Sequence, residues 1–157
     1  MAAEQQQKAA LHRRTGLATW RVTGADRVDY LHRMLTQDVR GLAPGHATFA
    51  CLLSVKGRIL GDLLLWNVGD HMLLELEQAA VPAVLPVLER YVIADDVTFE
   101  DVTAEGARYV LVAPGASGAL EAGGFEVPGP AAFVEIECGG SPGRVLRFDR
   151  RGLVSFE

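Results

Sequence analysis

The sequence predicts an α+β domain built on an antiparallel sheet, and three observations lead to this class. Hydrophobic residues make up 49% of the 157 residues, enough for the core of about one domain. Three apolar runs of strand length, 46–55, 58–68 and 71–77, are separated by short connections that contain glycine, a pattern typical of hairpins. Two segments with helical spacing, 25–39 and 81–92, lie among the strands, and strands linked by hairpins favour an antiparallel sheet over a Rossmann fold.

The elements before residue 103 follow from local patterns. A strand at 16–24 is followed by the helix at 25–39, where Thr23 and Asp26 are spaced as in a capping box. The three apolar runs then form a meander of strands. The helix at 81–92 carries Pro86, which predicts a kink or a later start, and a strand at 96–102 follows it.

The elements after residue 103 are shorter. We expect a strand at 107–114, a short helix at 117–124 that ends at two glycines, and a pair of strands at 131–138 and 143–150. The last strands have no following helix to cover them. An edge left bare in this way indicates that another element is missing or that a partner supplies it.

These patterns divide the chain into three parts. Residues 1–14 are polar and are expected to be flexible. Residues 15–102 form the first half of the domain, and residues 103–157 form a partial second half, in which the order of strands and helices of the first half is incompletely repeated.

Composition excludes several function classes. The formal net charge is -5, so no basic patch indicates nucleic-acid binding, and no apolar run approaches the length of a membrane span. We therefore expect a cytoplasmic protein without a nucleic-acid or membrane partner. Cys51 and Cys138 lack the spacing of metal ligands and are interpreted as reduced core thiols, and no metal site or catalytic residue is assigned.

Asp62 is the residue that most calls for an explanation, because it lies in the middle of the apolar run "RILGDLLLW" at 58–66. A carboxylate buried without a partner is costly. Strict alternation places Arg58, Leu60, Asp62, Leu64 and Trp66 on one face of this strand, opposite Ile59 and Gly61. A carboxylate beside an aromatic wall suits a flat heterocycle with N–H donors, such as a pterin or a purine.

Structural interpretations compete with this hypothesis. Gly61 and Asp62 are also typical of a β-bulge, in which the carboxylate bonds to nearby backbone or pairs with Arg58. Asp95 and Asp96 are adjacent acids that suit metal binding or acid-base chemistry, but adjacent strand residues point to opposite faces, which favours a solvated turn between helix and strand. The glycine-rich segment at 113–124 lacks the spacing of a phosphate-binding loop.

The segments "DYLHRMLTQDVRGLAPGHATFACLLSVKGRILGDLLLW" and "LERYVIADDVTFEDV" resemble the amino-terminal part of the YgfZ family. These folate-binding proteins are implicated in iron-sulfur cluster assembly or repair and are similar to the T-protein aminomethyltransferase of the glycine cleavage system. The resemblance extends from about Gly16 to Val102. It implies a domain of two ferredoxin-like halves, here with the second half incomplete, followed by a carboxy-terminal barrel that is absent from this sequence.

The resemblance also implies a ligand and its contacts. Tetrahydrofolate is the expected cofactor, and Asp62 matches the second of two acids at the end of the corresponding T-protein strand, whereas the first position is Gly61 here. Phe49 and Trp66 match aromatic positions that line the folate pocket, and Leu17 matches an apolar one. The cysteine-bearing signature K-G-C-x-x-G-Q-E of the family is absent.

Three hypotheses for function follow. The first is a folate-binding accessory protein in iron-sulfur cluster assembly or repair, in a truncated form, with iron-sulfur proteins as partners. The second is a folate-dependent aminomethyltransferase that carries out one-carbon transfer. The third is a structural or assembly fragment that binds no ligand and docks a missing carboxy-terminal domain or a second copy of the chain through an exposed apolar face.

Overall fold

The computed structural model describes residues 10–112, 116–150 and 153–156. The chain divides into two compact units, one of residues 15–106 and one that combines the first 14 residues with 107–157. Both are built from antiparallel strands with few helices, which confirms the predicted α+β class. Among the described residues, none of the helices has the length and apolar character needed to cross a bilayer.

The unit of residues 15–106 contains five strands and two helices. In chain order these are β2 (Leu17–Thr23), α1 (Arg27–Met34), β3 (His46–Leu53), β4 (Ile59–Asn67), β5 (Met72–Glu77), α2 (Val81–Arg90) and β6 (Thr98–Asp101). The sheet order is β3-β4-β5-β2-β6. Without β3, the four strands and two helices have the order of a ferredoxin-like fold, and β3 extends that sheet at one edge.

The core of this unit lies between the helices and one face of the sheet. Tyr30 and Leu31 of α1 and Leu88 of α2 pack with the inward side chains of the strands, and all three are buried. The Tyr30 hydroxyl donates to the backbone carbonyl of Leu88, and its ring meets Phe99 edge to face at 6.2 Å. Tyr30, Leu31 and Leu88 therefore belong to the inward faces of the two helices.

The first helix is shorter than predicted, because the chain after it joins the sheet. Leu35 adopts extended backbone and bridges to Leu52. The Thr36 N–H donates to the Cys51 carbonyl at 3.0 Å, and the Cys51 N–H donates to Thr36 Oγ1 at 2.9 Å. These bonds stop the helix well before residue 39. The expected capping box is wrong, since Asp26 makes no side-chain cap to α1.

A β-bulge at Leu60 breaks the alternation of β4. Leu52 pairs with Gly61 and Leu53 pairs with Ile59, so Leu60 has no partner of its own in the ladder. Leu60 packs against the core of the unit, as does Leu52. Ile59 therefore lies on the face opposite the helices, contrary to the prediction that it shares a face with Gly61.

The other unit contains β1 (Ala10–Arg14), β7 (Arg108–Val112), α3 (Ala116–Ala122), β8 (Phe133–Cys138), β9 (Ser141–Arg150) and β10 (Leu153–Phe156). Its strand order is β1-β7-β10-β9-β8. Gly139 and Gly140, both with positive φ, make a two-residue turn between β8 and β9. Ala116 of α3 packs with Val145 of β9, so a helix does contribute to the core of this unit.

Two expectations for this unit need correction. Residues 10–14 are not flexible, because β1 pairs along its whole length with β7; residues 1–9 of the predicted flexible segment lie outside the described residues. The hairpin of β8 and β9 does lie at one edge of the sheet, as expected, and β10 is an additional strand that pairs with β7 and β9. Cys138 is exposed and Cys51 is half-buried, so the prediction of two core thiols is wrong for Cys138.

Candidate functional site

The candidate site is the face of the first sheet that points away from the helices. Asp62 of β4 lies on this face and is exposed. Within the part of the chain that the structure describes, Asp62 makes neither a hydrogen bond nor an ion pair, so the interpretation of a carboxylate satisfied by backbone or by Arg58 is wrong. The predicted bulge is present, but it lies at Leu60 and leaves the Asp62 carboxylate accessible.

Cys51 is the direct neighbour of Asp62 across the strands. Both hydrogen-bonding groups of the Cys51 backbone are directed to Thr36, on the side away from β4. The Cys51–Asp62 pair is therefore of the kind without backbone hydrogen bonds, in which the Cα atoms are about 4.5 Å apart and the side chains approach closely. The Cys51 side chain therefore lies beside the Asp62 side chain on this face.

Phe49 is the predicted aromatic residue that the structure brings to Asp62. It pairs with Leu64, two positions along β4 from Asp62, and shares the same face. Diagonal neighbours of this kind are about 7–8 Å apart between Cα atoms, within reach of an aromatic ring. The Phe49 side chain is 40% exposed, so it offers a surface beside the carboxylate.

Trp66 and Leu17 share this face with Asp62 but lie farther away. Trp66 is four residues along β4, about 13 Å at the usual rise of a strand, and it is only 5% exposed. Leu17 is half-buried on β2, two strands from β4, and is thus at least about 9 Å away. The structure therefore places all four predicted residues on one face but brings only Phe49 next to Asp62.

Leu53 and Ile59 are surface residues at this site that sequence reasoning missed. They form a cross-strand pair on the Asp62 face, and they are 39% and 65% exposed. Strict alternation assigned Ile59 to the other face, and the bulge at Leu60 overturns that assignment. The signal was present in the adjacent Gly61, since a glycine inside a strand often marks a bulge.

Gly61, the neighbour of Asp62 on β4, faces the helices, and the core around it leaves no room for a side chain. A Cβ built on Gly61 would lie 2.6 Å from Val84 Cγ2 and 3.4 Å from Ala80 Cβ. An acidic side chain here would point into the apolar core rather than toward a ligand. The site face of β4 thus presents a single carboxylate near the bulge.

Asp95 and Asp96 have structural roles. The Arg33 guanidinium donates to Asp95 at 2.6 Å, and the pKa of Arg33 is raised by this hydrogen bond and by the negative charge. Asp96 accepts the Ala25 N–H at 3.0 Å. In the described residues, no group of three or more histidine, cysteine, aspartate or glutamate side chains is arranged to hold a metal ion.

The model of the GCVT N-terminal domain matches residues 2–148. The chain belongs to this family. Among curated relatives it is 29% identical to an aminomethyltransferase of Rubrobacter xylanophilus over 137 residues, which are 85% of this chain and 37% of that protein. It is also 29% identical to an aminomethyltransferase of Halalkalibacterium halodurans, over 73% of this chain and 31% of that protein.

A solved structure gives the same fold for this GCVT domain. The glycine cleavage system aminomethyltransferase T of Bartonella henselae superposes with a TM-score of 0.78 at 21% identity, covering 94% of this chain and 40% of that one. The chain thus spans about a third of the length of the curated relatives it matches. The family and the fold of this chain are therefore established.

Proposed function

We propose that this GCVT domain binds tetrahydrofolate on the sheet face that carries Asp62. The observation that carries the proposal is the exposed Asp62 carboxylate, which has no partner in the described residues and is flanked by exposed apolar side chains. A carboxylate in this setting accepts hydrogen bonds, and the pterin ring of folate presents neighbouring N–H donors. Phe49 and the Leu53–Ile59 pair provide apolar surface on either side of it.

The reduced pterin is favoured over an anionic ligand by the charges of this face. Asp62 is an exposed acid without a partner in the described residues, so the surface around it is negatively charged. A ligand group that docks here must donate hydrogen bonds or carry positive charge. Asp62 would hold the pterin, and Phe49 would pack against it. Trp66 and Leu17 remain predicted contacts.

The first specific function we propose is an accessory role of the YgfZ type in iron-sulfur cluster assembly or repair. The resemblance of residues 16–102 to the YgfZ family supports it, and Gly61, packed against Val84, departs from the T-protein pattern of two acids. In this role the protein binds folate without turnover. Iron-sulfur proteins are the proposed partners.

The second specific function is folate-dependent aminomethyl transfer, and the identity to aminomethyltransferases over most of this chain favours it. Here Asp62 would orient the folate amine that receives the one-carbon unit. The two functions differ in one measurable property. The transferase forms methylenetetrahydrofolate from an aminomethyl donor and tetrahydrofolate, releasing ammonia and the free carrier of the donor, whereas the accessory protein binds tetrahydrofolate and gives no product.

The proposal is tested by titrating the protein with 5-formyltetrahydrofolate, a stable reduced folate, and comparing wild type with Asp62→Asn. Hydrogen bonds to a charged group contribute about 1.5–3 kcal/mol, so the affinity should fall by roughly 10- to 150-fold. Glu89→Gln, an equivalent change at an exposed position of α2, should leave the affinity unchanged. Equal affinity of wild type and Asp62→Asn would remove the proposed role of Asp62.

A further inference from the structure

The β3–β4 hairpin presents three kinds of surface in a fixed order. The Asp62 carboxylate comes first, opposite Cys51. The exposed Leu53–Ile59 pair is next, about 7 Å nearer the turn at the usual rise of a strand. Lys56 and Arg58 follow at the turn itself, and both are exposed.

The charged residues of the turn are all positive, whereas the chain as a whole is acidic. Residues 46–61 contain no aspartate or glutamate, although the whole chain has a formal net charge of -5. Within the described residues, neither Lys56 nor Arg58 forms an ion pair. Lys56 is also one of only two lysines in the sequence. Both cations are available to an anionic ligand.

The turn is also well ordered by its own hydrogen bonds. The Ser54 N–H donates to the Arg58 carbonyl at 2.8 Å, and the Arg58 N–H donates to Ser54 Oγ at 3.1 Å. The Gly57 N–H donates to the Ser54 carbonyl at 2.9 Å, and the positive φ of Gly57 allows this tight path. The backbone of the turn is therefore held at a defined distance from Asp62, about 10 Å at Arg58 and about 15 Å at Lys56 along the hairpin.

We propose that the ligand site continues from Asp62 along this hairpin to its turn, with the Leu53–Ile59 pair contacting the aryl ring of a reduced folate and Lys56 and Arg58 receiving the carboxylates of its glutamyl tail. The inference rests on the proposed function. Folate consists of a pterin rich in N–H donors, followed by an apolar ring and an anionic tail. The hairpin presents an acid, an apolar pair and two cations in the same order. Each group then meets a surface of complementary chemistry.

The experiment compares two ligands, 5-formyltetrahydrofolate and 6-methyltetrahydropterin, which lacks the aryl ring and the tail. Lys56→Glu and Arg58→Glu should each weaken binding of 5-formyltetrahydrofolate on the order of two- to fivefold, as expected for exposed ion pairs. Binding of 6-methyltetrahydropterin should stay at the wild-type level. Arg90→Glu makes the same change of charge at an exposed position of α2 and should affect neither ligand.

Two further measurements strengthen the test. The effect of Lys56→Glu should disappear near 1 M salt, where the Debye length is about 3 Å. Ile59→Ser should weaken 5-formyltetrahydrofolate at any salt concentration, because the contact it removes is apolar. Unchanged thermal unfolding of each variant excludes a loss of fold, and is expected because Lys56, Arg58 and Ile59 are exposed.

The outcomes separate this inference from the function on which it rests. If wild type binds 5-formyltetrahydrofolate, and the variants at Lys56 and Arg58 bind it equally well, the hairpin site is wrong and the Asp62 site stands. If Arg90→Glu weakens binding as much as Lys56→Glu, the effect is one of net charge and the hairpin site is again wrong. If wild type binds neither ligand, the proposed function itself fails.

Discussion

Gly61 lies so close to Val84 that a Cβ on the glycine would come within 2.6 Å of the valine Cγ2. Gly61→Ala is therefore expected to lower the free energy of unfolding by about 1–3 kcal/mol, the usual cost of overpacking a core. Gly61→Asp should cost more, because its carboxylate would be buried among apolar side chains. Urea unfolding followed by circular dichroism measures both changes.

A second substitution tests the cause of this effect. Val84→Ala removes the methyl group that the new Cβ meets, so Gly61→Ala should cost less in the Val84→Ala background than in wild type. Purely additive effects of the two substitutions would contradict the proposed contact.

The stability should also depend on pH through Tyr30. Burial and, to a smaller extent, the charge of Asp95 raise the pKa of Tyr30 to about 12, against the opposing charge of Arg33. Since the unfolded-state pKa is near 10, this group's contribution is fully present below pH 10 and is lost as the pH rises toward 12. Between pH 9 and pH 11 the loss should be about 1 kcal/mol.

Tyr30→Phe is the control for this pH dependence. The variant should be less stable at neutral pH by about 1 kcal/mol, because the Leu88 carbonyl loses its donor. Above pH 10 its stability should fall less steeply than that of wild type. Parallel pH profiles for the two proteins would show that Tyr30 does not titrate as described.

Asp26 and Asp96 fasten the start of α1 to the segment before β6. The Asp96 N–H donates to Asp26 Oδ2 at 2.8 Å, and the Asp26 N–H donates to the Asp96 carbonyl at 3.2 Å. Asp26→Ala should therefore destabilise the fold by about 0.5–1.5 kcal/mol in chemical denaturation. Asp26→Asn retains an acceptor and should recover most of the loss, whereas equal losses would point to charge rather than to the hydrogen bond.

Phe49 is expected to contribute to ligand affinity through its exposed aromatic ring. Phe49→Ala is expected to weaken 5-formyltetrahydrofolate by roughly two- to tenfold, since an aromatic contact contributes about 0.5–1.5 kcal/mol. Tyr91 is 45% exposed, comparable to Phe49, so Tyr91→Ala serves as a matched control. Calorimetric titration of both variants decides whether the effect belongs to the Asp62 face.

The periodicity of the sequence predicted much of the first unit. The three apolar runs became β3, β4 and β5, and the helical segments became α1 and α2 on one face of the sheet. The end of α1 was wrong because the bonds between Thr36 and Cys51 are long-range, and local spacing carries no record of them. The pairing of β1 with β7 escaped prediction for the same reason.

The site was predicted less completely than the fold. Alternation correctly placed Asp62 and Trp66 on one face, but it does not give the distance between them or the burial of Trp66. Alternation also fails across a bulge, so the exposed position of Ile59 beside Asp62 required the strand register. The roles of Asp95 and Asp96 as turn residues depended on Arg33 and Ala25, which are distant in sequence.

Because Leu60 has no partner in the ladder, the length of β4 can change at this position without a change in the direction of the neighbouring side chains. Because Leu52 already opposes Gly61 and Leu53 already opposes Ile59, removing Leu60 would shorten β4 by one residue without turning any neighbour over. Removing either Ile59 or Gly61 instead would shift the pairing of the two strands or turn a side chain to the other face of the sheet. Deletion of Leu60 should therefore cost its packing against the core but leave the carboxylate two positions later in the same direction.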